Sequence, residues 1–169
     1  MAFNGYVNTA RCAATNVDAW TATGINTTTN IQNGYFVTLG DYQLSSGAIT
    51  EFVYNVTLAA ASTTGNWLVR TPEVGYTLAG QLEEDPRYFI NAQGRPMQLI
   101  KPQIGDEIEV TVETLDQAAA KGDYYTLVAG LLTKGSVTTS YTCFLCLGTH
   151  TINIGGTDVT TYVFRCTNN

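Results

Sequence analysis

Residues 89–114 read FINAQGRPMQLIKPQIGDEIEVTVET, and this stretch decides the fold class. Its pattern is strand, turn, strand, turn, strand. The first turn is Gln93-Gly94-Arg95-Pro96 and the second is Gln103-Ile104-Gly105-Asp106. After the second turn, Ile108, Val110 and Val112 alternate with Glu107, Glu109, Thr111 and Glu113. A period of two predicts three aliphatics on one face and the acids on the other, solvated face. A strand with one buried and one wet face suits an antiparallel sheet or a small barrel.

The pattern extends outward in both directions. Asn33-Gly34 is a turn dipeptide, and residues 35–39 (YFVTL) read as a strand ended by Gly40-Asp41. Ser45-Ser46-Gly47 predicts a loop, and Phe52, Tyr54 and Val56 alternate as a further strand. Trp67-Leu68-Val69 is a short buried run stopped at Thr71-Pro72. Residues 74–84 have no readable period, and Asp85-Pro86 marks a break. Residues 115–121 (LDQAAAK) are good helix formers, enough for one or two turns. Residues 124–133 and 141–147 are strand-like, then 149–154, a Gly155-Gly156 hairpin signal, and a last strand over 158–166. Ten to twelve short strands with regular turn signals predict an all-β protein. The expected form is a small antiparallel barrel or sandwich of short strands with an extended N-terminal arm. The arm is placed at 1–30, which is rich in Ala, Thr and Asn, and the β-rich domain at 31–169. A division into two subregions is placed near 86–90. Gly105-Asp106 and Gly122-Asp123 echo one another at the start of apolar strands, which suggests two facing strands of one barrel.

The composition narrows the functional classes. Charged residues are 13% of the 169, about half the usual share, while hydrophobic residues are 44%. A near-neutral surface favours association with partners. The net charge is −6 and the eight basic residues are scattered, which argues against binding nucleic acid through its phosphates. The start, Met-Ala-Phe-Asn-Gly-Tyr, has neither the positive region nor the apolar run of a secretory signal. No apolar run approaches the ~20 residues of a membrane-spanning helix. Asn26-Thr27-Thr28 and Asn55-Val56-Thr57 match the glycosylation sequon, and both are read as chance in a Thr-rich chain.

Candidate chemistry is sparse. Cys143, Cys146, His150 and Cys166 could supply a three-Cys, one-His zinc set. Phe144 and Leu145 between the first two cysteines suit a strand rather than a metal knuckle, so core thiols are the favoured reading, for Cys12 as well. His150, the single histidine, could serve Cys146 as a base, but no nucleophile motif surrounds that cysteine. Glu83, Glu84 and Asp85 form a short acidic run. Glu107, Glu109 and Glu113 are read as a solvated face, or as partners for basic residues of a neighbouring subunit. No phosphate loop, calcium loop or catalytic signature is present. The sequence therefore assigns no catalytic, cofactor or metal residue, and no cofactor. Trp20, Trp67 and the ten tyrosines read as core and interface anchors, or alternatively as the lining of a sugar groove.

Several segments stand in an order that carries a resemblance. They are Asn33-Gly-Tyr-Phe-Val-Thr-Leu-Gly-Asp41, Trp67-Leu-Val with Pro72-Glu73-Val74, Gly94-Arg-Pro-Met-Gln-Leu99, Gly105-Asp-Glu-Ile-Glu-Val110 and Lys121-Gly-Asp-Tyr-Tyr125. In this order the chain resembles the small β-rich head proteins of tailed bacteriophages, the capsid-associated or decoration (cement) proteins. The resemblance covers residues 31–169 loosely. It implies a non-enzymatic virion protein, made in the host cytoplasm, that sits on the capsid exterior. The implied partners are the major capsid protein and further copies of the chain, with a trimer favoured. A tail or baseplate structural protein and a carbohydrate- or ligand-binding β-barrel are the alternatives.

Overall fold

The computed structural model describes residues 4–8, 20–73 and 85–169. The fold is all-β. Five strands, β1 (Thr21–Ile25), β2 (Phe36–Ser45), β3 (Ala48–Leu58), β4 (Trp67–Val69) and β5 (Pro96–Ile100), close into a barrel in the order β1-β3-β2-β4-β5. Five more, β6 (Glu107–Thr111), β7 (Tyr124–Val128), β8 (Leu131–Gly135), β9 (Cys143–Ile154) and β10 (Thr157–Asn168), form an open sheet in the order β6-β10-β9-β7-β8. Neighbouring strands are antiparallel except β1 and β3, whose parallel pairing closes the barrel. Residues 4–8 extend the sheet beyond β6, with Val7 opposite Val110 and the Asn8 amide donating to the Glu109 carbonyl.

The two layers share a wall. On β2 and β4 the alternation of side chains sends Phe36 and Leu68 out of the barrel, into a cluster with Phe144, Phe164, Tyr125 and Leu132 of the sheet. The next residues, Val37 and Val69, point inward and pack with Ile31, Val56, Met97 and Leu99. The Phe36 and Phe144 rings lie 5.2 Å apart. Consecutive buried apolar residues are what a strand covered on both faces requires. The β7–β8 turn locks the layers together. The Gly130 amide donates to the Ala59 carbonyl, and the Gly130 carbonyl accepts from the Phe36 amide.

Several expectations are corrected. The arm over 1–30 does not hold for residues 20–30, because Thr21–Ile25 is a barrel strand. Its small residues serve close packing: a Cβ on Gly24 would lie 2.7 Å from side-chain atoms of both Leu99 and Val56. Deleting 1–30 would therefore remove a strand that closes the barrel. Residues 1–3 and 9–19 of that region, with Cys12, lie outside the described residues. The barrel ends at Ile100 and the sheet begins at Glu107, so the change of subregion falls there rather than near 86–90. Gly40-Asp41 does not end β2 but interrupts its register as a bulge. Residues 143–154 form one strand, with an irregularity near Gly148, rather than two. The run at 115–121 forms no helix; a single 3-10 turn precedes it at Val112–Thr114, because so short a run lacks the length to sustain itself. Residues 74–84, which had no readable period, lie outside the described residues.

The Gly-Asp echo is real in its turn chemistry but not in the inferred pairing. Asp106 accepts from the Gln103 amide and Asp123 from the Ala120 amide, each three residues back. The amides of Gly105 and Gly122 donate to the carbonyls of Cys166 and Cys146. The strands that follow, β6 and β7, flank the β10–β9 pair on opposite sides of the open sheet, so they do not face each other in the barrel.

Gly130 has φ +80°, and a Cβ there would meet the Phe36 carbonyl oxygen at 2.9 Å. Gly122 has φ +92° with open space around it. Gly122→Ala is expected to cost about 1–2 kcal/mol through backbone conformation alone. Gly130→Ala should cost about 2–5 kcal/mol, because overpacking against a backbone oxygen adds to that strain. Urea unfolding followed by circular dichroism checks the order; equal losses at the two positions would contradict the close docking of the β7–β8 turn.

Candidate functional site

The outer face of the open sheet, away from the barrel, holds a buried ionisable cluster. Because β10 lies between β6 and β9, its Thr161 is flanked by Thr111 on one side and His150 on the other. Glu109 stands two residues before Thr111 on the same face, and its side chain has no exposure. The carboxylate accepts from Thr161 Oγ1 at 2.6 Å, from His150 Nδ1 at 2.8 Å and from Asn8 Nδ2 at 3.0 Å. Burial pushes the Glu109 pKa up, but the hydrogen bonds from Thr161 and His150, the His150 charge and the Asn8 hydrogen bond outweigh it and hold the carboxyl below its ordinary value. The cluster joins β6, β9, β10 and the segment 4–8. The reading of Glu109 as part of a solvated face is therefore wrong, because the segment 4–8 and the β9–β10 hairpin build around it. Val112, expected inside, is exposed, since β6 ends one residue earlier.

His150 is half exposed and lines an open groove of about 320 Å³ with Glu107, Leu147, Gly148, Thr149 and Val163. Chemically, a buried carboxylate on Nδ1 fixes the orientation of an imidazole. Cys146 is not positioned to use that imidazole. It lies in the core between the layers, on the opposite side of the sheet, and burial raises its thiol pKa. Cys166 is in the same core, its pKa pushed up to about 12 by burial and the nearby Asp106 charge. Cys143, Cys146 and Cys166 are buried free thiols. The structure thus takes the proposed zinc set apart, and among the described residues no three His, Cys, Asp or Glu side chains are placed to hold a metal ion.

The remaining candidates disperse. Glu107 pairs with Arg165 of its own chain at 2.7 Å. Asp85 is ion-paired with Arg87, whose hydrogen bond lowers the Asp85 pKa; Glu83 and Glu84 lie outside the described residues. Glu113 is half-buried beside Tyr6 and Arg87. Trp67 packs against the barrel core, and Trp20 only precedes β1. Both sequons are occupied structurally. The buried Asn26 donates to the Val56 carbonyl and caps the amides of Thr28 and Thr29, while Asn55 bonds to Gln43 and the Asp41 carbonyl.

A second feature escaped the sequence reading. Past the bulge at Gly40-Asp41, the β2–β3 hairpin leaves the barrel, and residues 44–52 are all exposed. β2 pairs with β4 only at Phe36 and Val37, and β3 pairs with β1 only at Tyr54 and Asn55. Phe52 is 80% exposed, Leu44 52% and Ile49 48%. Tyr42 stacks on Tyr54 at 4.3 Å and meets the Phe52 ring edge-on at 5.9 Å. Phe52, Tyr54 and Val56 alternate on a strand as expected, and only the last of them is buried. Neither a family model, nor a curated protein, nor a solved structure matches this chain.

Glu109→Gln should destabilise the fold at neutral pH by about 2 kcal/mol, the worth of hydrogen bonds to a charged group. Because the folded-state pKa of Glu109 is lowered, its contribution is complete above the ordinary glutamate range and is lost as pH falls through the lowered value. Unfolding midpoints measured from neutral to acid pH should therefore converge for wild type and Glu109→Gln at the acid end. A gap that stays constant would mean that Glu109 is not a stabilising carboxylate.

Proposed function

We propose that this chain is a non-enzymatic virion structural protein, a decoration protein that binds the outer surface of a major capsid lattice and stabilises the head. The reading begins from the resemblance to phage head proteins. The observation that carries it is the projecting β2–β3 hairpin with Leu44, Ile49 and Phe52 in solvent. Exposing large apolar side chains on a rigid projection costs solubility unless a partner covers them. Aromatic residues are also the side chains that dominate protein interfaces. A decoration protein needs only modest affinity at each contact, because many copies act on one shell and linked copies add their binding. The same resemblance implies a homo-oligomer, with the trimer favoured.

The runner-up is a carbohydrate-binding β-barrel, for which the Tyr42, Phe52 and Tyr54 rings would form a stacking platform. The two readings part on simple measurements. Purified protein mixed with heads that lack it, taken from the virus that encodes it, should sediment with them at a saturable copy number and raise their thermal stability. Intrinsic fluorescence should not respond to a glycan panel. Failure to sediment, or a saturable glycan response, would reverse the order of the two readings.

A further inference from the structure

We infer that the tip of the β2–β3 hairpin is the docking element, and that it seats in an apolar groove rimmed by Lys or Arg on another protein. This deepens the assembly role proposed above and rests on it. The apolar part of the argument is concentration: three of the seven large exposed hydrophobics among the described residues, Leu44, Ile49 and Phe52, are on this one hairpin. The hairpin is also stiffened before any partner arrives. The Tyr42 and Tyr54 hydroxyls bond at 2.8 Å, their rings stack, and Gln43 bonds to Asn55 across the strands. Its turn, Ser46-Gly47, has φ of +52° and +82°, the two-residue geometry that matches strand twist. An ordered projection loses little conformational entropy on binding.

Charge selects the occupant. The hairpin carries Asp41 and Glu51, both exposed, and no Lys or Arg occurs between Arg11 and Arg70. Neither acid is in an ion pair among the described residues. Two copies meeting hairpin to hairpin would bring four carboxylates together, which disfavours a second copy. An anionic membrane or a nucleic acid would be repelled for the same reason. A protein groove with an apolar floor and a basic rim satisfies both the side chains and the charge.

The test uses the full chain with heads that lack it, and a photo-crosslinking benzoyl-phenylalanine at position 52 in the producing cell. Phe52→Ser combined with Ile49→Ser, both exposed, should keep the circular-dichroism spectrum and weaken head binding at least ~10-fold. Wild-type binding should weaken as salt rises, and Asp41→Lys with Glu51→Lys should abolish that dependence. The adduct should map to a Lys- or Arg-flanked apolar site of a shell protein. If wild type binds heads and the Phe52/Ile49 variant binds equally, the hairpin inference falls while the decoration role stands. If heads do not bind but the adduct maps to a basic-rimmed site on another protein, the inference stands and the decoration role falls. An adduct to a second copy, or none, overturns the inference.

Discussion

Two adjacent pairs of residues, Phe36-Val37 on β2 and Leu68-Val69 on β4, hold the molecule together. Each pair places one side chain inside the barrel and the next against the open sheet. The wall is therefore common to both layers, and neither layer has a core independent of it. Barrel closure sets the position of β2 and β4, and their outer side chains set where the sheet lies. The Gly130 turn completes the seam by bonding backbone to backbone with Phe36 and Ala59.

That arrangement also explains where polar chemistry survives. The inner face of the sheet is spent on the shared core, so Cys146 and Cys166 are buried there and burial makes their thiols resistant to ionisation. The buried carboxylate is on the outer face, where Glu109 is enclosed by Thr161, His150 and Asn8. The cluster's first effect is structural: one carboxylate ties the segment 4–8 to three strands. The β2–β3 hairpin is the opposite case. Its base is part of the barrel wall, and among the described residues its tip has no layer to pack on, so Leu44, Ile49 and Phe52 stand in solvent.

Much of the architecture was legible in the residues. The alternation of Ile108 and Val110, the unbroken Trp67-Leu68-Val69 and the Gly155-Gly156 turn each named a strand or a hairpin that the structure contains. β1 was not legible, because Thr21 to Ile25 has the small residues of a loop and earns its strand through Leu99 and Val56 crowding Gly24. The Glu109–His150 pair was not legible either. Forty-one residues separate its members, and only the insertion of β10 between β6 and β9 brings them together.

Local spacing in the chain determined that it would be β-rich, which turns it would make and that its cysteines suited a core, because period-two patterning and turn chemistry act over a few residues. Tertiary structure alone decided which faces were covered. Burial of Glu109 and exposure of Phe52 both run against what their strands suggest in isolation. Each depends on whether another layer lies over that face, and strand order, not strand sequence, sets that.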